Sequence, residues 1–289
     1  MKLKIFKKGF NYSQDGPGNR LVYHLQGCNM KCRWCANPES ISGEGTLMVD
    51  RAKLLEAVCP YGAIKGNDVE RDICRDCEAK PCTNKNKNEG IWLSCFEMSV
   101  EDIVDEAKES KDLFFDGGGI TFSGGEPTYQ FKALKEALIK LKETGISTAI
   151  ETNGTHAQLE EVFPYVDTLI VDLKHVDDDM HKRFTGVSNQ EIKRNIAKAM
   201  NKHPNLLIRT PLIEGFNAKR EYIGQFIEFY KQFNYERTCF EILRYHEYGK
   251  EKWEQCGMTY KMHDGHIGEG VEEIFETEYK ANGLMVVRT

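Results

Sequence analysis

The chain of 289 residues contains no run of about 18 consecutive apolar side chains, the minimum for a helix that crosses a bilayer. It also lacks a leader of the charged, apolar and small-residue kind, so the expectation is a cytoplasmic protein with no membrane partner. A basic stripe is missing too. Asp and Glu outnumber Lys and Arg by 45 to 39, giving a net charge of −6, which argues against a nucleic-acid partner. Lys2, Lys4, Lys7 and Lys8 read instead as the solvent face of a first strand. Hydrophobic residues make up 40% and charged residues 29%, which excludes a disordered chain and suits one large α/β domain with a small insertion.

Cysteine is what the chain has in quantity. There are ten, and in a reducing compartment that number points to metal or redox chemistry rather than structural disulfides. Eight of the ten fall between positions 28 and 95. Cys28, Cys32 and Cys35 stand in a C-x3-C-x2-C loop just after the apolar run Leu21 to Leu25. An iron–sulfur cubane normally takes four thiolates; three hold three irons and leave the fourth open to a ligand, as an open metal site does elsewhere. A zinc knuckle is the alternative reading of the same loop.

Residues 49–96 break the rhythm of the rest and carry five cysteines. Cys59-Pro60 resembles the end of a bacterial ferredoxin motif, yet the three ligand positions before it are Val49, Ala52 and Leu55, none able to bind iron. In two-cluster ferredoxins the fourth cysteine of one motif serves the other cluster. The expectation is therefore one auxiliary [4Fe–4S] cluster on Cys59, Cys74, Cys77 and Cys82. Cys95 stands as a substitute ligand, because the spacing before Cys82 departs from the pattern; a structural zinc is the alternative. Cys239 reads as a buried hydrophobe and Cys256 as a free thiol.

Outside that region, strands are expected at 2–8, 20–27, 120–125, 147–153, 168–174, 206–213 and 239–246. Helices are expected from Ser99, at 131–141, 155–163, 188–202 and 218–233, with a last helix and strand within 271–287. Strands separated by helices imply βαβ units and a parallel sheet. Six such strands, two short of a closed eight-fold barrel, predict an open (β/α)6 barrel of TIM type over 1–48 and 97–289, with 49–96 as a ferredoxin-like insert. Sites in such folds lie at the carboxyl ends of the strands. There the sequence places Ser123-Gly124-Gly125-Glu126-Pro127, Glu151-Thr152-Asn153, Asp172-Leu173-Lys174 and Arg209.

The cysteine loop, with Trp34 before its last cysteine, followed by Gly124-Gly125-Glu126 after an apolar strand, resembles the radical S-adenosylmethionine (SAM) enzymes. Asp15-Gly16-Pro17-Gly18 and Arg20, ahead of the loop, are similar to a segment of those members that activate glycyl-radical enzymes. The resemblance implies a [4Fe–4S] cluster on Cys28, Cys32 and Cys35 and reductive cleavage of SAM to a 5′-deoxyadenosyl radical. That radical would remove a hydrogen from a glycine of a partner enzyme. By the same resemblance Trp34, Asn37, Gly124, Gly125, Glu126, Thr152, Asp172, Lys174 and Arg209 handle SAM. Glu151, Thr152 and Asp172 match a monovalent-cation site, although the family residue at 151 is the shorter Asp. Asp15 to Gly18, Arg20 and His246 would meet the partner, and a flavodoxin or ferredoxin-type protein would donate electrons. Position 36, usually His, is Ala36. The rival readings are a radical SAM enzyme acting on a small molecule and a non-catalytic iron–sulfur or zinc module.

Overall fold

Apolar side chains alternating with lysines make Lys2–Tyr12 the first strand, β1: Leu3 and Ile5 are buried while Lys2, Lys7 and Lys8 face solvent. A turn at 13–18 leads to β2 (Asn19–Leu25), antiparallel to β1. The computed structural model describes residues 1–55, 59–75, 77, 80–83 and 88–289. After the cysteine loop come β3 (Leu47–Val49), β4 (Ile64–Lys65), β5 (Asp68–Val69), the short helix α1 (Arg71–Arg75) and β6 (Ile91–Leu93). β3 and β6 pair as an antiparallel neck. Beyond it Val49, Leu54, Ile64, Val69, Cys82 and Ile91 form a small apolar core of their own.

The main sheet resumes with β7 (Phe96–Ser99), antiparallel to β1. Helix α2 (Val100–Glu109) follows, opened by the expected reciprocal cap: Ser99 Oγ accepts from Asp102 N at 3.0 Å and Asp102 Oδ2 from Ser99 N at 3.1 Å. Then come β8 (Gly119–Gly124), α3 (Phe131–Glu143), β9 (Ser147–Thr152), β10 (Thr168–Asp172), α4 (Asp178–Thr185), α5 (Gln190–Lys202), β11 (Leu206–Leu212) and α6 (Arg220–Tyr230). The chain ends with β12 (Thr238–Arg244), α7 (Lys250–Gln255), α8 (Val271–Ala281) and β13 (Met285–Val286).

β2, β8, β9, β10, β11 and β12 are the six expected parallel strands, in that spatial order. β13 adds to one edge, and β1 with β7 to the other. Among the described residues β7 and β13 are not paired with each other, so the partial (β/α)6 barrel is open. The helices bury one stripe each against the sheet: Ile103, Val104 and Ala107 on α2, Leu134, Leu138 and Leu141 on α3, Ile192, Ile196 and Ala199 on α5, the spacing of an amphipathic helix. No helix among the described residues is long and apolar enough to cross a membrane.

Two local expectations differ. The helix expected at 155–163 is a 3-10 helix at Leu159–Tyr165. Pro164 lies inside it and has no N–H to donate, which favours a short, tight turn over α-helix. Helix α4 lies outside the expected helices. Its stop and start signals are nonetheless in the sequence: Asp177 accepts from Met180 N at 2.7 Å, and Gly186 ends it at φ 84°. The cap and the core predict different losses. Ser99→Ala is expected to cost about 1 kcal/mol and Leu138→Ala, which is fully buried, about 2–5 kcal/mol. Chemical denaturation of the metal-free protein checks both, and equal midpoints for the two variants would contradict the packing described.

Candidate active site

The cysteine loop leaves β2 at its carboxyl end and is held on every side. Gly27 N donates to Ser40 O at 2.8 Å, and Lys31 N to Thr185 O at 2.8 Å. Gln26 Nε2 donates to the carbonyls of Glu39 (2.8 Å) and Ser42 (2.6 Å). Gly27 adopts φ 97°, and a Cβ there would sit 2.3 Å from the Tyr129 ring, so only glycine fits. Cys32 is buried, and Cys28 and Cys35 are half-buried. Burial pushes each thiol up to about 12, and each also opposes ionisation of another member of the trio. The Lys174 ammonium favours the thiolate form of all three. Sulfurs this reluctant to ionise become thiolates when a metal takes the place of the proton.

The other seven cysteines lie elsewhere. Cys59, Cys74, Cys77 and Cys82 line one small pocket, with Leu47, Tyr61 and Lys80 among its walls. Cys59 Sγ accepts from Ala63 N at 3.3 Å. Burial opposes its ionisation, but the N–H groups of Ala63, Tyr61, Ile64 and Gly62 outweigh that and lower its pKa. Cys95 does not join them. It sits outside the neck, 3.9 Å from the Glu44 carbonyl and near Lys4, so its role as a substitute ligand is set aside. Cys256 is buried against Met48, Sγ to Sδ 3.3 Å. Cys239, expected as a buried hydrophobe, is half-buried in β12 between Leu207 and Met285, its Sγ 3.6 Å from Met285 Sδ. Among the described residues no three His, Cys, Asp or Glu side chains converge on a point that one ion could occupy.

The charged strand ends do converge, but several bind one another. Gly125 N donates to Leu25 O at 3.0 Å and Glu126 N to Gly27 O at 2.8 Å, joining β8 to the cysteine loop. Any Cβ on Gly124 would stand 2.5 Å from Leu25 N, and one on Gly125 the same distance from Gly27 O. The Glu126 carboxylate is buried, and although burial raises its pKa it accepts four hydrogen bonds. Oε1 takes Thr128 N (2.9 Å), Thr128 Oγ1 (2.5 Å) and Thr152 Oγ1 (2.7 Å), and Oε2 takes Asn153 N (2.6 Å). Arg209 is likewise filled: it donates to Glu241 Oε2 at 2.7 Å, Glu151 Oε1 at 2.6 Å, Thr289 Oγ1 at 3.0 Å and the Gln14 carbonyl. Asn37 Oδ1 accepts from Lys252 at 2.9 Å.

Asp172 and Lys174 pair at 2.5 Å. Burial works against the ammonium, but Asp172, Cys32 and Cys28 more than offset this and raise the Lys174 pKa. Trp34 lies half-buried against Phe216, ring centroids 4.9 Å apart. The residues of the expected cation site each have a partner within the protein. Glu151 is taken by Arg209 and Ser123 (2.7 Å), Thr152 by Glu126 and Asp172 by Lys174. Of the residues expected to handle a ligand, Trp34, Asn37, Asp172 and Lys174 are half-buried, whereas Glu126, Thr152 and Arg209 are buried within the contacts just described.

The expected partner-binding residues are divided in the same way. Of Asp15, Gly16, Pro17, Gly18 and Arg20 only Pro17 is exposed. Arg20 is fully buried, donating to Thr121 Oγ1 at 2.6 Å and Ile120 O at 2.7 Å, so direct contact with a partner is ruled out for its side chain and it braces the turn instead. His246 is exposed and stacks on Tyr248, centroids 4.3 Å apart. Behind it, a Cβ on Gly249 would lie 2.6 Å from Ala36 Cα, which puts this segment on the cysteine loop. Sequence reasoning missed Gln26, Glu39, Lys252 and Trp253. Nothing in the linear order pairs Glu39 with Lys252, 213 positions away.

Asp15 gives a pH signature. Burial first, then Glu151, push its carboxyl up from 3.8 to about 6. The folded state then holds a proton that the unfolded chain has released, so stability falls as pH rises from about 4 to about 6 and stays lower above. Asp15→Asn is expected to remove that fall and to be the more stable protein at pH 7.5. Thermal midpoints of both proteins between pH 4.5 and 8 test it; parallel curves would contradict it.

Comparison with known proteins agrees with this geometry. The family model described as the radical SAM superfamily matches residues 22–229. The chain is 34% identical over 288 residues to the 4-hydroxyphenylacetate decarboxylase activating enzyme of Clostridioides difficile strain 630, covering 93% of this chain and 90% of that one. It is 32% identical to the (2S)-3-sulfopropanediol dehydratase activating enzyme of Klebsiella oxytoca, covering 86% and 83%. Streptococcus suis SuiB bound to S-adenosylmethionine shares the fold at TM-score 0.55 and 14% identity over 92% of this chain, which spans about half (49%) of that longer protein. Three cysteines on one loop, a Gly-Gly-Glu strand end stitched to it and relatives matched over nearly their whole length make this chain a member of the radical SAM superfamily, in its branch of glycyl-radical-enzyme activating enzymes.

Proposed function

We propose that this chain activates a glycyl-radical enzyme, cleaving S-adenosylmethionine reductively and withdrawing one hydrogen atom from a glycine of that partner. The observation that carries this is the count at the cysteine loop: Cys28, Cys32 and Cys35, buried or half-buried and each opposing ionisation of another, with every other cysteine placed elsewhere. Cys28, Cys32 and Cys35 would hold a [4Fe–4S] cluster, which would supply the electron and, having only three thiolates, leave room for the methionyl end of the substrate. The protein's own task is orientation. Lys174 presents a fixed positive charge beside the thiols, and Asp172 keeps it in place. The glycine pair lets backbone approach the ligand without side chains in the way. Trp34 offers an aromatic wall. Glu126, Thr152, Asn37 and Arg209 hold these groups rigid, which is what a reaction governed by positioning requires.

In the same reading, 1–48 and 97–289 form the radical SAM core and 49–96 a ferredoxin-like insert holding one auxiliary [4Fe–4S] cluster on Cys59, Cys74, Cys77 and Cys82. The four sulfurs on one pocket and the N–H groups that favour the Cys59 thiolate support this reading. Pro17 and His246, at the exposed rim, meet the partner, with Asp15, Gly16, Gly18 and Arg20 shaping the turn beneath. A flavodoxin or ferredoxin-type donor supplies electrons in the cytoplasm. The relatives' names span a decarboxylase, a dehydratase and a sulfite-lyase, so activation itself is the shared property.

Two measurements test the reading. Reduced protein incubated anaerobically with SAM is expected to form 5′-deoxyadenosine, and Cys32→Ala to form none above background; wild-type turnover by that variant would falsify the three-thiol site. Reconstituted protein is expected to bind about eight irons, two cubanes. About four would remove the auxiliary cluster.

A further inference from the structure

Helix α7 joins the cysteine loop to the insert. From it, Lys252 Nζ donates to Asn37 Oδ1 at 2.9 Å and to Glu39 Oε1 at 2.7 Å, and Trp253 Nε1 donates to the Cys35 carbonyl at 2.9 Å. At its other end Arg71 of α1 donates to the carbonyls of Gln255 (2.8 Å) and Leu47 (2.7 Å). Glu39 is buried, and among the described residues its second oxygen, Oε2, has no hydrogen-bond partner. A carboxylate so placed depends on the one ammonium beside it for compensation. Its charge also reaches the cluster-binding thiols, since it opposes ionisation of Cys35. Lys252 touches no reacting atom. It neutralises a negative charge four residues from Cys35.

We propose that Lys252 is a positioning residue which, through Glu39, sets the reduction potential of the cluster held by Cys28, Cys32 and Cys35. The inference rests on the cluster reading above. Cluster potentials follow the net charge and hydrogen bonding around the sulfurs. Removing the ammonium leaves the Glu39 charge uncompensated and makes the added electron harder to accept. Removing the carboxylate charge does the reverse. Loss of packing alone has no reason to produce opposite signs.

The test is a redox titration of reconstituted wild type, Lys252→Met, Glu39→Gln, the double variant and Lys252→Arg. Reduced cluster is followed by electron paramagnetic resonance, and iron is counted in each sample. The SAM-responsive part of the spectrum identifies the relevant cluster. Lys252→Met is expected to lower the reduced-to-oxidised ratio at a fixed potential about tenfold, or about 59 mV for one electron. Glu39→Gln is expected to raise it, the double variant to return close to wild type, and Lys252→Arg to stay there. Should Lys252→Met hold no iron, the Glu39→Gln and Lys252→Arg results carry the decision. Single variants that shift in the same direction, or not at all, overturn the proposal. A wild-type protein with no SAM-responsive signal overturns the cluster reading itself, and the proposal with it.

Discussion

The Glu126 carboxylate, buried with four hydrogen bonds converging on it, is the point on which the site's shape depends. Its backbone N–H ties β8 to the cysteine loop, and its side chain ties β8 to the end of β9. Three strand ends meet in one residue. Each donor left unpaired by its loss would cost about 1–3 kcal/mol, so the network holds together as a unit. The two glycines before it matter for the same reason. They let β8 close on the loop at distances no side chain would allow.

Around that node the protein neutralises most of its own buried charge. Arg209 lies between Glu151 and Glu241, with the last residue, Thr289, completing the cage through Glu241 Oε1 at 2.6 Å. A buried cation with two carboxylates is tolerable because hydrogen bonds from Ser123, Thr289 and the guanidinium itself compensate the buried charges. Asp172 and Lys174 form a smaller, more open pair beside the thiols. The interior thus separates into a saturated framework and a reactive rim. Groups at the rim can meet a ligand because the framework behind them needs none.

The insert and the barrel touch through few polar bonds, and α7 carries several of them. Arg71 leads from the insert to α7, and Lys252 and Trp253 lead from α7 to the loop. A structural path therefore joins the two groups of cysteines, although they are separate in the sequence and pack on separate cores, the main one and the small one of the insert.

Much of this was legible in the linear chain. Apolar periodicity and glycine stops located all six parallel strands, because a strand buried on both faces leaves a continuous apolar run. The three-cysteine spacing and Gly124-Gly125-Glu126 marked the site because their chemistry is local: a loop ligand set and a glycine turn each lie within a few residues. Which charges stay available was decided only by tertiary structure. Arg209, Glu126 and Asn37 carry the right chemistry for a ligand, yet their partners at positions 241, 152 and 252 come from other strands and helices. The burial of Arg20, the exclusion of Cys95 and the reach of Lys252 to Glu39 follow from the same cause. Hydrogen bonds and ion pairs act through space over a few ångströms, and only the folded sheet brings those distant residues that close.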